Sequence, residues 1–99
     1  MANPATRDAR LLVLVSLAGG PKHGHAMLRD IASFAGVRLG PGSLYGAISG
    51  LETDGLIEPM AADDRRRPYR LTRTGRRHLA DRLDAMRTTL RIGLQRVAT

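Results

Sequence analysis

Residues 11 to 17 read LLVLVSL, and a helix carrying them is apolar on nearly every side. Such a helix has to be covered all round by other parts of the fold. The chain is 99 residues long, the length of one small domain, so the cover must come from elements packed about this segment as a central rod. The run is too short to span a bilayer, and it lacks an AxA-like cleavage site or a basic leader of the usual kind. It is therefore expected as a buried helix, capped by Thr6 and ended by Gly19-Gly20-Pro21.

The remaining segments supply that cover. HGHAMLRDIASFAG places Ala26, Met27, Ile31 and Phe34 near one face of a second helix, with Gly36 as its stop. In LGPGSLYGAISGLETDG, Pro41 and Gly42 open a third helix, Leu44, Ile48 and Leu51 recur at i, i+4, i+7, and Gly55 closes it. This helix buries its leucine and isoleucine stripe and exposes Tyr45, Gly46, Ser49, Gly50 and Thr53. Two strand-like runs, 56–60 and 69–72, flank the polar AADDRRRP and suggest a hairpin that must rest on the helices, since two strands alone are marginal. Thr72 can cap a last helix in which Leu79, Leu83, Met86, Leu90, Leu94 and Val97 recur three or four residues apart. A lone domain this small has little left to cover that seam, and a second chain is the economical cover. The expected architecture is mainly α with a small β-hairpin: one winged helix-turn-helix domain over 1–99, in which 73–97 is the dimerisation helix.

Charge is distributed unevenly over this plan. Fifteen arginines and one lysine against nine acids give +7, a balance suited to a polyanion such as nucleic acid or an anionic membrane surface, although solubility alone would also be served. From Asp63 to Arg77 seven arginines face two aspartates, for a net +5, whereas residues 1–57 carry only +1. The third helix has no lysine or arginine between Arg38 and Gly55. Its small residues would let its backbone approach a partner closely, and the free amides near Gly42 and Ser43 can take a phosphate without side-chain charge. Gly46 and Gly50 would equally permit tight packing on a neighbouring helix. Tyr45 suits either a base or phosphate contact or ring packing with only its hydroxyl exposed. The run Arg65, Arg66, Arg67 reads as a wing that reaches DNA phosphates, or else as a solvated loop balanced by Asp63 and Asp64.

Enzymatic chemistry has no foothold in the sequence. There is no glycine-rich phosphate loop, no nucleophile motif and no carboxylate pair near a histidine. The absence of cysteine excludes disulfides and thiolate metal sites and suits a reducing cytoplasm. His23 and His25, one residue apart, point in different directions, so neither they nor distant His78 are expected to hold a metal, and no cofactor is expected.

GPKHGHAMLRDI, LGPGSLYGAISGLETDGLIE and DDRRRPYRLTRTGRRHL resemble, in order and at compatible spacing, the successive motifs of the PadR family of winged-helix transcriptional regulators, over about residues 10–80. The resemblance implies a cytoplasmic homodimer joined through its last helix, with Leu79, Leu83, Met86, Leu90 and Leu94 in the interface, and a repressor of double-stranded DNA targets that a small-molecule effector can relieve. Position by position it implies Lys22 and His23 beside the DNA backbone, Ser43, Tyr45 and Ser49 on the reading helix, and Arg65 to Arg67 on the wing. Members of this family commonly carry an aromatic where His25 stands and basic residues where Ser49 and Gly50 stand. The non-enzymatic rival is a winged-helix protein-interaction module without DNA binding, favoured by the bare third helix.

Overall fold

The computed structural model describes residues 8–62 and 64–99. In chain order the elements are α1 (Ala9–Ala18), β1 (Lys22–His23), α2 (Gly24–Ala35), α3 (Pro41–Thr53), β2 (Ile57–Pro59), β3 (Pro68–Leu71) and α4 (Arg73–Val97). The expected cap Thr6 lies outside the described residues, as does Asp63 of the wing. Asp8 caps α1, its carboxylate accepting from the Leu11 amide at 3.1 Å, which satisfies one of the four orphan donors of a helix start.

α1 runs through the middle of the fold, against α2, α3, α4 and β3. Its Leu11, Leu12, Val13, Leu14 and Leu17 are buried, as an all-apolar helix requires. Ser16 is its one buried polar side chain among the described residues, and its hydroxyl donates to Asp30 Oδ2 at 2.7 Å, so no polar group is stranded. From α2 come Met27 and Ile31, and from α3 Leu44, Ala47, Ile48 and Leu51. Phe34, expected on the inner face of α2, is 46% exposed, because the last turn directs Ala35 onto the core instead. Gly50, expected in the open, is half-buried beneath α1. A Cβ there would lie 3.0 Å from the Arg10 guanidinium, which in turn pairs with Asp54 at 2.5 Å.

The hairpin acquires a third strand. β3 is central in the order β1-β3-β2, with Lys22 opposite Tyr69, His23 opposite Pro68, and Ile57 opposite Leu71, all antiparallel. Past Gly20 the chain runs extended along the root of the wing, and this pairing gives the sheet the support that two strands lack.

Thr72 starts α4 as expected, accepting from the Gly75 amide at 2.9 Å while its hydroxyl donates to the Gly55 carbonyl at 2.7 Å. Leu79, expected in the dimer seam, is only 4% exposed and belongs to the core of its own protomer, because the first turns of α4 are held down on Leu56 and α1. Arg82 then donates to Asp8, fastening α4 to the start of α1. Beyond that point Leu83, Met86, Leu90, Leu94 and Val97 are exposed, the last at 84%. With 25 residues, α4 is about 37 Å long at 1.5 Å per residue, and it extends a molecule measuring 55 × 28 × 19 Å. Among the described residues no helix is long and apolar enough to cross a membrane.

Candidate nucleic-acid interface

The outer face of α3, the start of α2 and the wing meet on one surface. α3 contributes Ser43, Tyr45, Gly46 and Ser49, all exposed. Pro41 occupies its first turn, where a missing N–H costs nothing, and Gly40 precedes it with no side-chain cap, so the first amides of the helix stay open. Tyr45 is 55% exposed yet not free. Its ring lies across the backbone of Gly24, where a Cβ would meet the Tyr45 hydroxyl at 2.8 Å and Cζ at 3.2 Å. The tyrosine thus packs its hydroxyl end on the neck between β1 and α2, the reverse of a buried ring with only the hydroxyl exposed, while more than half of the residue stays in the open.

Opposite α3 stands the wing. Asp64 and Arg65 turn it with φ of 48° and 69°, left-handed conformations that disfavour most side chains and cost on the order of 1 kcal/mol each. Arg65, Arg66 and Arg67 are exposed, and none forms an ion pair among the described residues. Arg70, further along the hairpin, is tied to Glu58 at 2.7 Å. Between wing and helices runs a cleft of about 200 Å³, lined by His23, Gly24, His25, Tyr45, Tyr69 and the three wing arginines.

His23 holds the cleft's inner wall. It is the N-cap of α2, and its Nδ1 accepts from the Ala26 amide at 3.3 Å. Its Nε2 faces Arg66 Nη1 at 3.4 Å. Partial desolvation, with the positive charge of Arg66 and Arg29 and the neighbouring His25, holds its imidazole below the ordinary histidine range.

Lys22, assigned by resemblance to the DNA backbone, is held by partners within the fold. Its ammonium donates to the Ser16 carbonyl near the end of α1 and lies 3.7 Å from the Asp30 carboxylate. The ammonium is thus engaged within the fold, although the Lys22 side chain still lines, with His23, Ala26, Asp64 and Arg66, a second pocket beside the wing. The surface gathers His23, Ser43, Tyr45, Ser49 and Arg65 to Arg67, with Lys22 at its edge and tied to Ser16 and Asp30. Sequence reasoning missed Gly24 and Tyr69. The glycine set between two histidines was the available signal of a close approach. Among the described residues no group of three potential ligands could hold a metal ion.

A second surface lies at the far end of the molecule. Arg82, Leu83, Ala85, Met86, Arg87, Thr89 and Leu90 line an open, mainly apolar groove of about 610 Å³ along α4.

A central apolar helix, two helices crossing it, a three-stranded sheet with an arginine-tipped wing and a long trailing helix together define a winged-helix protein. Residues 13–81 match the model of the transcriptional regulator PadR-like family, and the chain belongs to that family. Its fold is similar to that of a transcriptional regulator from Clostridium thermocellum, with a TM-score of 0.81 and 20% identity over 96% of each chain. A PadR family transcription regulator from Clostridium difficile R20291 is similar at a TM-score of 0.80 and 20% identity, over 88% of this chain and 95% of that one. RosR of H. salinarum matches at a TM-score of 0.73 and 26% identity, over 85% and 79% of the two chains. In sequence, an uncharacterized 37.1 kDa protein in transposon TN4556 of Streptomyces fradiae is 51% identical over 71 residues, or 72% of this chain. The chain spans about a fifth of the length of that relative, 21%.

Proposed function

We propose that this transcriptional regulator binds double-stranded DNA as a homodimer and acts as a repressor. The observation that carries the reading is the pairing, on one surface, of an exposed third helix bare of lysine and arginine with three exposed arginines on a tightly turned wing, none of which forms an ion pair among the described residues. A neutral helix of small residues can enter a groove closely, while the wing supplies the phosphate attraction and sets register without reading sequence. Left-handed backbone at Arg65, where glycine would be cheaper, supports a use for that side chain at the tip.

The second copy of the chain covers the stripe from Leu83 to Val97, which one protomer leaves in water. Two wings and two third helices are then held at a fixed spacing for a two-fold operator. An effector that relieves repression, which the family resemblance implies, acts by changing this contact between the two copies, on which the spacing of the wings depends.

The test is a salt titration of duplex binding with the parent and with Arg65→Ala and Arg67→Ala. A DNA reader gives a steep negative slope of log affinity against log salt, and each lost phosphate contact makes the slope shallower by about 0.9. Duplex binding that is absent at low salt would favour the protein-interaction module.

A further inference from the structure

His23 does two jobs with its two ring nitrogens, and the first dictates the second. A neutral imidazole has one donor and one acceptor nitrogen. Nδ1 accepts from the Ala26 amide at 3.3 Å, so it has no hydrogen, and the single ring hydrogen is on Nε2. Nε2–H then faces Arg66 Nη1 at 3.4 Å. A guanidinium has donors only, so the two groups cannot bond each other. They are two donors side by side at the mouth of a cleft, lacking an acceptor between them.

The surroundings specify that acceptor. Arg65 and Arg67 line the same cleft with the two tyrosines, and no carboxylate among the described residues pairs with Arg66. An oxygen that takes several donors at once and bears negative charge fits, and a phosphate oxygen meets both conditions. Protonating His23 would not help, because a hydrogen on Nδ1 would break the cap. The low pKa direction of the ring agrees with a clamp that works in the neutral state.

We propose that His23 Nε2–H and Arg66 form a two-donor clamp for one anionic phosphate oxygen, with the histidine tautomer set by the cap it gives α2. The proposal rests on the DNA-binding reading for its natural ligand, a backbone phosphodiester, while free inorganic phosphate offers the same chemistry.

His23→Asn separates the two jobs, since asparagine is among the best N-caps but lacks the Nε2 donor. Imidazole nitrogen NMR of the parent should show Nδ1 unprotonated and a proton on Nε2, whose signal moves on adding inorganic phosphate and does not move in Arg66→Ala. Duplex affinity should fall roughly tenfold in His23→Asn and in Arg66→Ala, the scale of one charge-assisted bond. Because both donors share one oxygen, the double variant should lose less than the product of the two. A proton on Nδ1, or a phosphate titration that leaves His23 unmoved, overturns the clamp. So does parental duplex affinity in His23→Asn, a result that leaves DNA binding intact. A phosphate response without duplex binding keeps the clamp as a free-anion site and removes the DNA-binding reading.

Discussion

Gly75 lies so close to the Leu56 carbonyl that a Cβ on it would sit 1.8 Å from that oxygen and 2.8 Å from its carbon. The same carbonyl accepts from the Thr72 amide at 3.1 Å. The first turn of α4 is thus pressed onto the loop between α3 and β2, backbone to backbone, and this seats Leu79 in the core. Gly75→Ala would normally gain up to about 1 kcal/mol of helix propensity. Here neither side of the clash is a flexible side chain, so α4 must lift, and a net loss of about 2 kcal/mol is expected. Denaturant unfolding should show a lower midpoint with an unchanged slope.

Gly46 gives the opposite case, because nothing lies within 4 Å of a Cβ built there. Gly46→Ala should stabilise the protein by up to about 1 kcal/mol, raising Tm by a few degrees for a domain of this size. If α3 enters a groove as closely as its small residues allow, the same methyl should weaken duplex binding. Higher Tm together with weaker binding is the expected pair of results. Higher Tm with parental affinity would remove Gly46 from the contact face. Gly50 does not serve this test, since a methyl there meets Arg10 first.

The helices were legible because their signals are local. An all-apolar run announces a central helix, Leu44, Ile48 and Leu51 mark the inner face of α3, and Thr72 is a cap whose partner Gly75 is three residues away. What escaped depends on contacts distant in sequence. β1 exists because Lys22 and His23 meet Tyr69 and Pro68, some 45 residues on, and no periodicity in two residues can signal it. The tie of Lys22 to the Ser16 carbonyl and Asp30 has no local signal, because those partners are brought near by the packing of α1 on α2. Leu79 and Leu83 look alike in the heptad pattern, and only the press of Gly75 on Leu56 separates core from surface. In the candidate site, the arginine run and Tyr45 stand out in the sequence, whereas the nearness of the His23 ring to Arg66, 43 residues on, requires coordinates.

Acidification should lower stability in two separate windows. His23 has a pKa below its ordinary 6.5 in the folded chain, so unfolding takes up a proton between those two values. Its contribution is complete above 6.5 and is lost as pH falls through the folded value. For Asp8, burial alone would raise the carboxyl, but the bond from Arg82 and the Leu11 amide outweigh it and hold the group below 3.8. Its contribution is complete above 3.8 and disappears as pH drops through the lower folded value. Thermal unfolding from pH 7.5 to pH 2.5 should show both declines. His23→Asn should flatten the upper one and Asp8→Asn the lower one, while each keeps a side-chain oxygen for its helix cap.

In the proposed dimer, Leu83 and Leu90 lie between the two chains. They are 41% and 62% exposed, on a helix anchored at its start by Thr72, Gly75, Leu79 in the core and Arg82 on Asp8. Replacing both with arginine leaves those anchors untouched, so the winged domain should keep its fold and its Tm should fall only by what the dimer contributed. Arg87 and Arg91 already flank the seam, and two added arginines from each chain would set like charges against one another across a desolvated interface, a strong barrier to pairing. Sedimentation should find dimer in the parent and monomer in the variant. Each monomer would still present one wing and one α3, so weak binding to any duplex should persist with a salt slope about half the parental one, since half the phosphate contacts remain. Tight binding to a two-fold operator should be lost, because nothing then holds two half-sites one helical turn apart. An unchanged dimer in the double variant would place the interface elsewhere and leave the stripe on α4 unexplained by self-association. A monomer with undiminished operator affinity would show instead that a single wing and helix suffice for recognition.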